Sequence, residues 1–249
     1  MLEQVSKLST ALHGQEFQSR VAATSPSPTI SVQGDVYLSL DVELMCGSWI
    51  HAAYVIATYP QGKVLATDEA FALPVRESTE DDCDFDFWTE NSEALQHIKH
   101  AARATTRSEA ELRFVKSLIA AAGRHRRIWL VSDNPAIDFG VLNGMMSNQI
   151  AMGHIPRQTS MNVLAADGRY RQVLCSWSYA LAVRQALGIS SRHLRTTTRR
   201  LRPELNNVAH DCPAHTALKD AACGLVKLFR ARDVITSTKQ RRISRKQLQ

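Results

Sequence analysis

Between Tyr37 and Leu44 the chain reads YLSLDVEL, an apolar run that carries two acids two residues apart, Asp41 and Glu43. The β-branched and aliphatic content predicts a buried strand over 35–44, and side chains two apart on a strand share one face. Both carboxylates can therefore reach a common point at the strand's edge. Leu38, Leu40, Val42 and Leu44 surround them, so plain solvation of the pair is the weaker explanation. A carboxylate in such a setting is costly unless something compensates it, and divalent cations commonly do.

Two further segments repeat the pattern. Asp138 lies in LVSDNPAIDFGVLN, four residues after Asn134, where an apolar strand turns into a helix. An acid there can also simply favour the helix N-terminus through its dipole, and Asp133 competes with Asp138 as a ligand. His215 and Asp220 lie in HTALKDA. On one helix they would stand ~140° apart around the axis. His215 is therefore expected in the preceding loop or first turn, with Asp220 on the helix proper and Pro213 upstream of its start. Taken together, the acids suit magnesium or manganese, which prefer oxygen ligands. Two such ions about 4 Å apart activate water, hold a scissile phosphate and stabilise the leaving oxygen. A neutral histidine can take the proton from the attacking water.

The 249 residues suffice for one sizeable α/β core with flanking arms, and 44% apolar with 22% charged residues is ordinary for a soluble globular chain. No apolar stretch is long enough for a membrane span, and a secretory signal is not expected. Five cysteines (Cys46, Cys83, Cys175, Cys212 and Cys223) lack any C-x-x-C spacing. That argues for reduced thiols in an intracellular protein, cytoplasmic or nuclear, and against a structural zinc site. The formal charge of +6 is concentrated in SSRHLRTTTRRLR (190–202) and KQRRISRKQLQ (239–249), while 77–93 is acidic. Basic runs of this density suit a polyanion, above all nucleic acid, although each run alone also reads as a solvated surface.

Residues 1–33, with the breakers SPSPT, read as a mobile leader with a short helical stretch near 3–12. Strand-like runs at 51–60 and 63–73 flank Pro60-Gln61-Gly62, which predicts an antiparallel hairpin. An acidic loop is expected over 76–91. Helices follow from Ser92 or Asn91 to Arg103 and from Ser108 to Ala122, the second with a capping box of Ser108 and Glu111. RRIWLVSD (126–133) is strand-like, and helices are predicted over 138–146, over 175–188 with its end at Gly188, and over 216–230. The ordered domain is expected over 34–233, with a basic insertion at 190–207 and a basic disordered tail at 234–249. Strands interleaved with helices imply a mixed sheet covered by helices.

With D-x-E at Asp41–Glu43, N-x-x-x-D at Asn134–Asp138 and H-x-x-x-x-D-A at His215–Ala221, the chain resembles the DEDD exonuclease superfamily, in its histidine-containing DEDDh branch. The likeness spans 36–230, and FDFWTENSEAL (85–95) resembles a connection in phage and viral members. It implies an α/β, ribonuclease H-like fold, a mixed five-stranded sheet flanked by helices. It also implies two-metal 3′–5′ hydrolysis of DNA or RNA with release of nucleoside 5′-monophosphates. Asp41, Glu43, Asp138 and Asp220 would hold two Mg2+ or Mn2+ ions, with Asp41 touching both, and His215 would be the general base. The partner would be nucleic acid with a free 3′ end, single-stranded by expectation. Leu44 and Met45, which stand where relatives carry small residues, would wedge the terminal nucleotide. Asn134, Arg195, Arg199 and Arg200 complete the expected substrate contacts, within a wider set of arginines from Arg192 to Arg202. Trp49, Trp88, Phe139 and Trp177 are candidates for base stacking, with core packing favoured for Trp177 and Trp129. Two alternatives stand beside this reading: an RNA-specific exoribonuclease of the same fold, and an inactive nucleic-acid-binding module.

Overall fold

A computed structural model describes residues 35–125, 128–156, 170–190, 202–212 and 214–247. Alternation along β1 (Asp35–Met45) sorts its side chains as the sequence pattern requires. Val36, Leu38, Leu40 and Val42 pack into one core, whereas Tyr37 packs into another on the opposite face, the face shared by Ser39, Asp41 and Glu43. β2 (Ser48–Tyr59) returns antiparallel through a two-residue turn, Cys46-Gly47, with both residues at positive φ. β3 (Val64–Phe71) pairs antiparallel with β2 through the hairpin expected at Pro60–Gly62.

Two parallel strands complete the sheet. β4 (Ile128–Ser132) pairs with β1, and β5 (Tyr170–Cys175) pairs with β4. The order β3-β2-β1-β4-β5 is the mixed five-stranded sheet of the expected ribonuclease H-like fold. β5 follows no strand signal read locally; it forms where YRQVLC finds the free edge of β4.

Helices cover both faces. The predicted acidic loop at 76–91 contains a short helix, α1 (Phe85–Glu90), whose Trp88 is buried. α2 (Ser92–Ala102) and α3 (Arg107–Gly123) follow. The capping box of α3 is formed by Thr106 and Glu109, two residues before the Ser108–Glu111 pair expected from the sequence. Glu111 is buried instead, accepting from Trp49 Nε1 at 3.1 Å and from Gln149 Nε2 at 3.2 Å. α4 (Pro135–Ala151) begins three residues before the predicted Asp138, because Pro135 fits the first helical position. α3 and α4 seal the first core with Phe114, Val115, Leu118, Leu142, Met145 and Met146.

The opposite face is covered by α5 (Ser176–Leu187), α6 (Pro203–Asp211) and α7 (Ala217–Gln247). α5 ends at Gly188 in the left-handed conformation, as its sequence indicates. Leu205, Ala209, Ala221, Ala222, Leu225, Leu228 and Phe229 pack here on Tyr37, Val55, Ala57 and Val131. α7 continues well past the predicted end at Arg230. Neither glycine nor proline interrupts it there, and Ala231, Val234 and Ile235 pack with Ala180, Val183 and Leu187 of α5. Within the basic stretch expected to border the cleft, Arg202 is 4% exposed; it donates to Pro60 C=O at 2.9 Å and to Asp233 at 2.8 Å. That arginine ties α6 to the β2–β3 turn. Arg195, Arg199 and Arg200, like the leader at 1–33, lie outside the described residues.

Candidate active site

The β1–β4 ladder ends at Ser39↔Val131, yet β1 continues to Met45. Asp41 and Glu43 sit in this extension, near the carboxyl ends of the parallel strands, where α/β sheets commonly bind ligands. A register irregularity between Glu43 and Leu44 in the pairing with β2 re-aims the strand just beyond them. Asp220 comes from the first turn of α7 on the same face of the sheet. Asp41, Glu43 and Asp220 each offer a carboxylate oxygen, and these three atoms all lie within 4.8 Å of one another.

Such a cluster repels itself. Burial, with Glu43 as the next largest influence, raises Asp41 well above the ordinary aspartate range. Burial together with Asp220 and Asp138 pushes Glu43 up to about 8. Asp220 is raised by burial as well, against the opposing pull of His215 and Lys227. Oxygen donors gathered at this density, and destabilised when charged, form a set that fits a hard divalent cation.

Asp138 sits beside this trio in a different environment. It is 3% exposed and accepts a hydrogen bond from Ser132 Oγ, which in turn accepts from Asn134 N–H at 2.9 Å. Burial raises it to about 6 despite the bond from Ser132. Asp133, the rival ligand, is engaged by Lys227 Nζ and Ser176 Oγ. Lys227 was not singled out in the sequence, although its seven-residue spacing from Asp220 places both on one side of α7.

His215 lies outside α7, at φ 54, and is exposed. This agrees with the angular argument from its spacing to Asp220. Phe87 of α1 meets the imidazole edge to face, with ring centroids 5.4 Å apart. Two bonds dock α1 and its approach onto the end of β1: Trp88 Nε1 donates to Leu44 C=O at 2.9 Å, and Asp84 accepts from Cys46 N–H at 2.6 Å. Phe87, 38% exposed, is thus an aromatic at the site that the sequence reading passed over. Its signal was the FDFW run, where the buried Trp88 and the exposed Phe87 are adjacent.

Other expected contacts fall differently. Met45 is 1% exposed and packs with Ile50, Trp88 and Ile98, so its side chain belongs to a core and offers no wedge. Leu44 is half-buried against the α3–α4 core, and Asn134 is exposed at the start of α4. Trp49, Trp88 and Phe139 are buried, which removes them as open stacking surfaces. Trp177 reverses its expectation: it is 59% exposed, with Lys227 Nζ 6.0 Å from its ring centroid. Its helix turns other residues, Ala180 and Val183, toward α7. Trp129 does stack on Tyr37, with centroids 6.2 Å apart.

No family model matches the chain, and no curated protein matches it. Among solved structures it is similar to the nuclease domain of 3′hExo, a DEDDh family member bound to rAMP. The identity is 12%, over 81% of this chain and 94% of that one, with a TM-score of 0.43. A full-length 3′-exonuclease is 11% identical, over 86% of this chain and 64% of that one, with a TM-score of 0.41. Likeness at this level carries no weight for chemistry, which rests on the side-chain geometry.

Proposed function

We propose that the protein is a divalent-cation-dependent 3′–5′ exonuclease of the DEDDh type, releasing nucleoside 5′-monophosphates from the 3′ ends of nucleic acid. The observation that supports this most is the convergence of Asp41, Glu43 and Asp220 oxygens within 4.8 Å, from two elements distant in sequence. Asp138, already held by Ser132 Oγ, is the fourth carboxylate of the set. Bound there, Mg2+ or Mn2+ supplies activation of the attacking water and stabilisation of charge on the scissile phosphate.

The chain's own groups have separate tasks. Asp41, Glu43, Asp138 and Asp220 hold the ions, and the sheet and α7 fix where they stand. His215, exposed at the mouth of the site, takes the proton from the attacking water on a ring nitrogen. Phe87 restricts how that ring can turn. Lys227 neutralises Asp133, which otherwise adds a further negative charge beside the cluster. A free, single-stranded 3′ end suits a site that is open on the His215 side, and the excess of basic residues suits a polyanion.

The test is a time course on end-labelled single- and double-stranded DNA and RNA, with magnesium and with EDTA. Stepwise loss of 3′ nucleotides, abolished by EDTA and by Asp41→Ala, is expected. Degradation of RNA alone would select the exoribonuclease reading. Full activity in EDTA, or in Asp41→Ala, would overturn the site assignment.

A further inference from the structure

His51 is wholly buried in β2, and nothing in the proposed chemistry uses it. It stands in register with Glu43 on one side and Phe71 on the other, and its ring stacks on Phe71 with centroids 4.3 Å apart. Its Nδ1 lies 3.1 Å from the Ala217 backbone nitrogen, and its Nε2 lies 3.2 Å from Glu69 Oε2. Ala217 is the first residue of α7. The first N–H groups of a helix have no partner within it, so each buried one needs an acceptor from elsewhere. Since Ala217 N–H can only donate, Nδ1 must offer its lone pair. The proton then resides on Nε2, which donates to Glu69.

We infer that His51 is a positioning residue that caps α7 and thereby sets where Asp220 and His215 stand relative to Asp41 and Glu43. Asp220 lies three residues into the helix from this bond and His215 two residues before it, so one imidazole fixes both from β2. A side-chain cap is normally supplied by the residue next to the helix; here it comes from 166 positions away in sequence. That distance makes the bond a tie between the sheet and the site helix. Glu69, on β3, extends the tie by selecting the tautomer. The catalytic consequence rests on the exonuclease reading, whereas the structural consequence does not.

The two amide analogues of histidine separate the roles. Asn places its carbonyl oxygen near the position of Nδ1 and can still accept from Ala217, whereas Gln reaches only the Nε2 position beside Glu69. The experiment measures hydrogen exchange at the Ala217 amide by NMR, together with kcat and KM on an end-labelled oligonucleotide. His51→Gln is expected to exchange that amide about tenfold faster. It is also expected to lower kcat by about ten- to a hundredfold with KM little changed. His51→Asn should restore most of both. Equal exchange in wild type and His51→Gln, or equal kcat in all three proteins, overturns the inference, as does His51→Asn behaving like His51→Gln. If His51→Gln does not fold, Glu69→Leu replaces it. That change, on a half-exposed strand, frees the other tautomer and should shift exchange and kcat the same way to a smaller extent; no shift overturns the inference. Wild type lacking hydrolysis on every substrate refutes the exonuclease reading, while the exchange data still decide whether His51 holds α7.

Discussion

At Asp41 stability and function pull in opposite directions. The half-buried carboxylate stands among Glu43, Asp138 and Asp220, each of which disfavours its charged form. Asp41→Asn removes the charge with little change of shape. It is expected to reduce cation-dependent hydrolysis by at least about a thousandfold, while raising the cation-free melting temperature by about 2–4 °C. A calorimetric scan in EDTA beside a nuclease assay checks both parts, and a lower melting temperature would contradict repulsion among these carboxylates. Phe87 makes a complementary case. Its ring touches His215 and is partly exposed, so Phe87→Ala should cost about tenfold in kcat through a less ordered imidazole. Stability should change by no more than about 0.5 kcal/mol, as measured by urea unfolding. An unaltered kcat would remove Phe87 from the site's working parts.

Among the elements, the β2–β3 turn shows how a connection far from the acids still serves their placement. Gly62 has φ +67, and a Cβ there would lie 2.6 Å from Arg202 side-chain atoms. Arg202 has little room to yield, because it is bonded to Pro60 C=O and Asp233 and lies over the Tyr59 and Phe229 rings. Gly62→Ala is therefore expected to destabilise by about 1–3 kcal/mol, read as a lower urea midpoint with an unchanged slope. A neutral result would mean that the turn and α6 can move apart freely. α1 has a comparable role at the other end of the sheet. Its Trp88 bond to Leu44 C=O fixes the irregular end of β1 while presenting Phe87 to His215.

For the whole molecule, the shifted carboxylates set the pH response. Glu43 is held at about 8 and Asp138 at about 6, both above their ordinary values, and Asp41 and Asp220 are raised as well. Between the ordinary carboxylate range, about 4, and those raised values, the folded protein binds more protons than the unfolded chain. The stability these groups contribute is thus fully present at low pH and is lost as pH rises through the folded values. The cation-free melting temperature should fall from about pH 5 to about pH 8. Adding Mg2+ or Mn2+ should restore it, most strongly at the upper end, since the ion binds the deprotonated site. Glu43→Gln should flatten the pH dependence. A melting temperature in EDTA that climbs over this range would refute the electrostatic account. Among the described residues no helix is long and apolar enough to cross a membrane.

Local pattern was enough to place most elements and to nominate the acids. Alternation in YLSLDVEL put Asp41 and Glu43 on one face, and the angular offset between His215 and Asp220 put the histidine ahead of the helix. These are properties of a few neighbouring residues, so they survive without knowledge of the rest of the chain. Contacts between distant segments do not. Lys227 rather than solvent meets Asp133, Trp177 faces outward, Met45 faces inward, β5 forms on an edge that only β4 provides, and His51 accepts from Ala217. Each depends on which surfaces the folded layers bring together, and side-chain period in one segment carries no information about the partner across the gap.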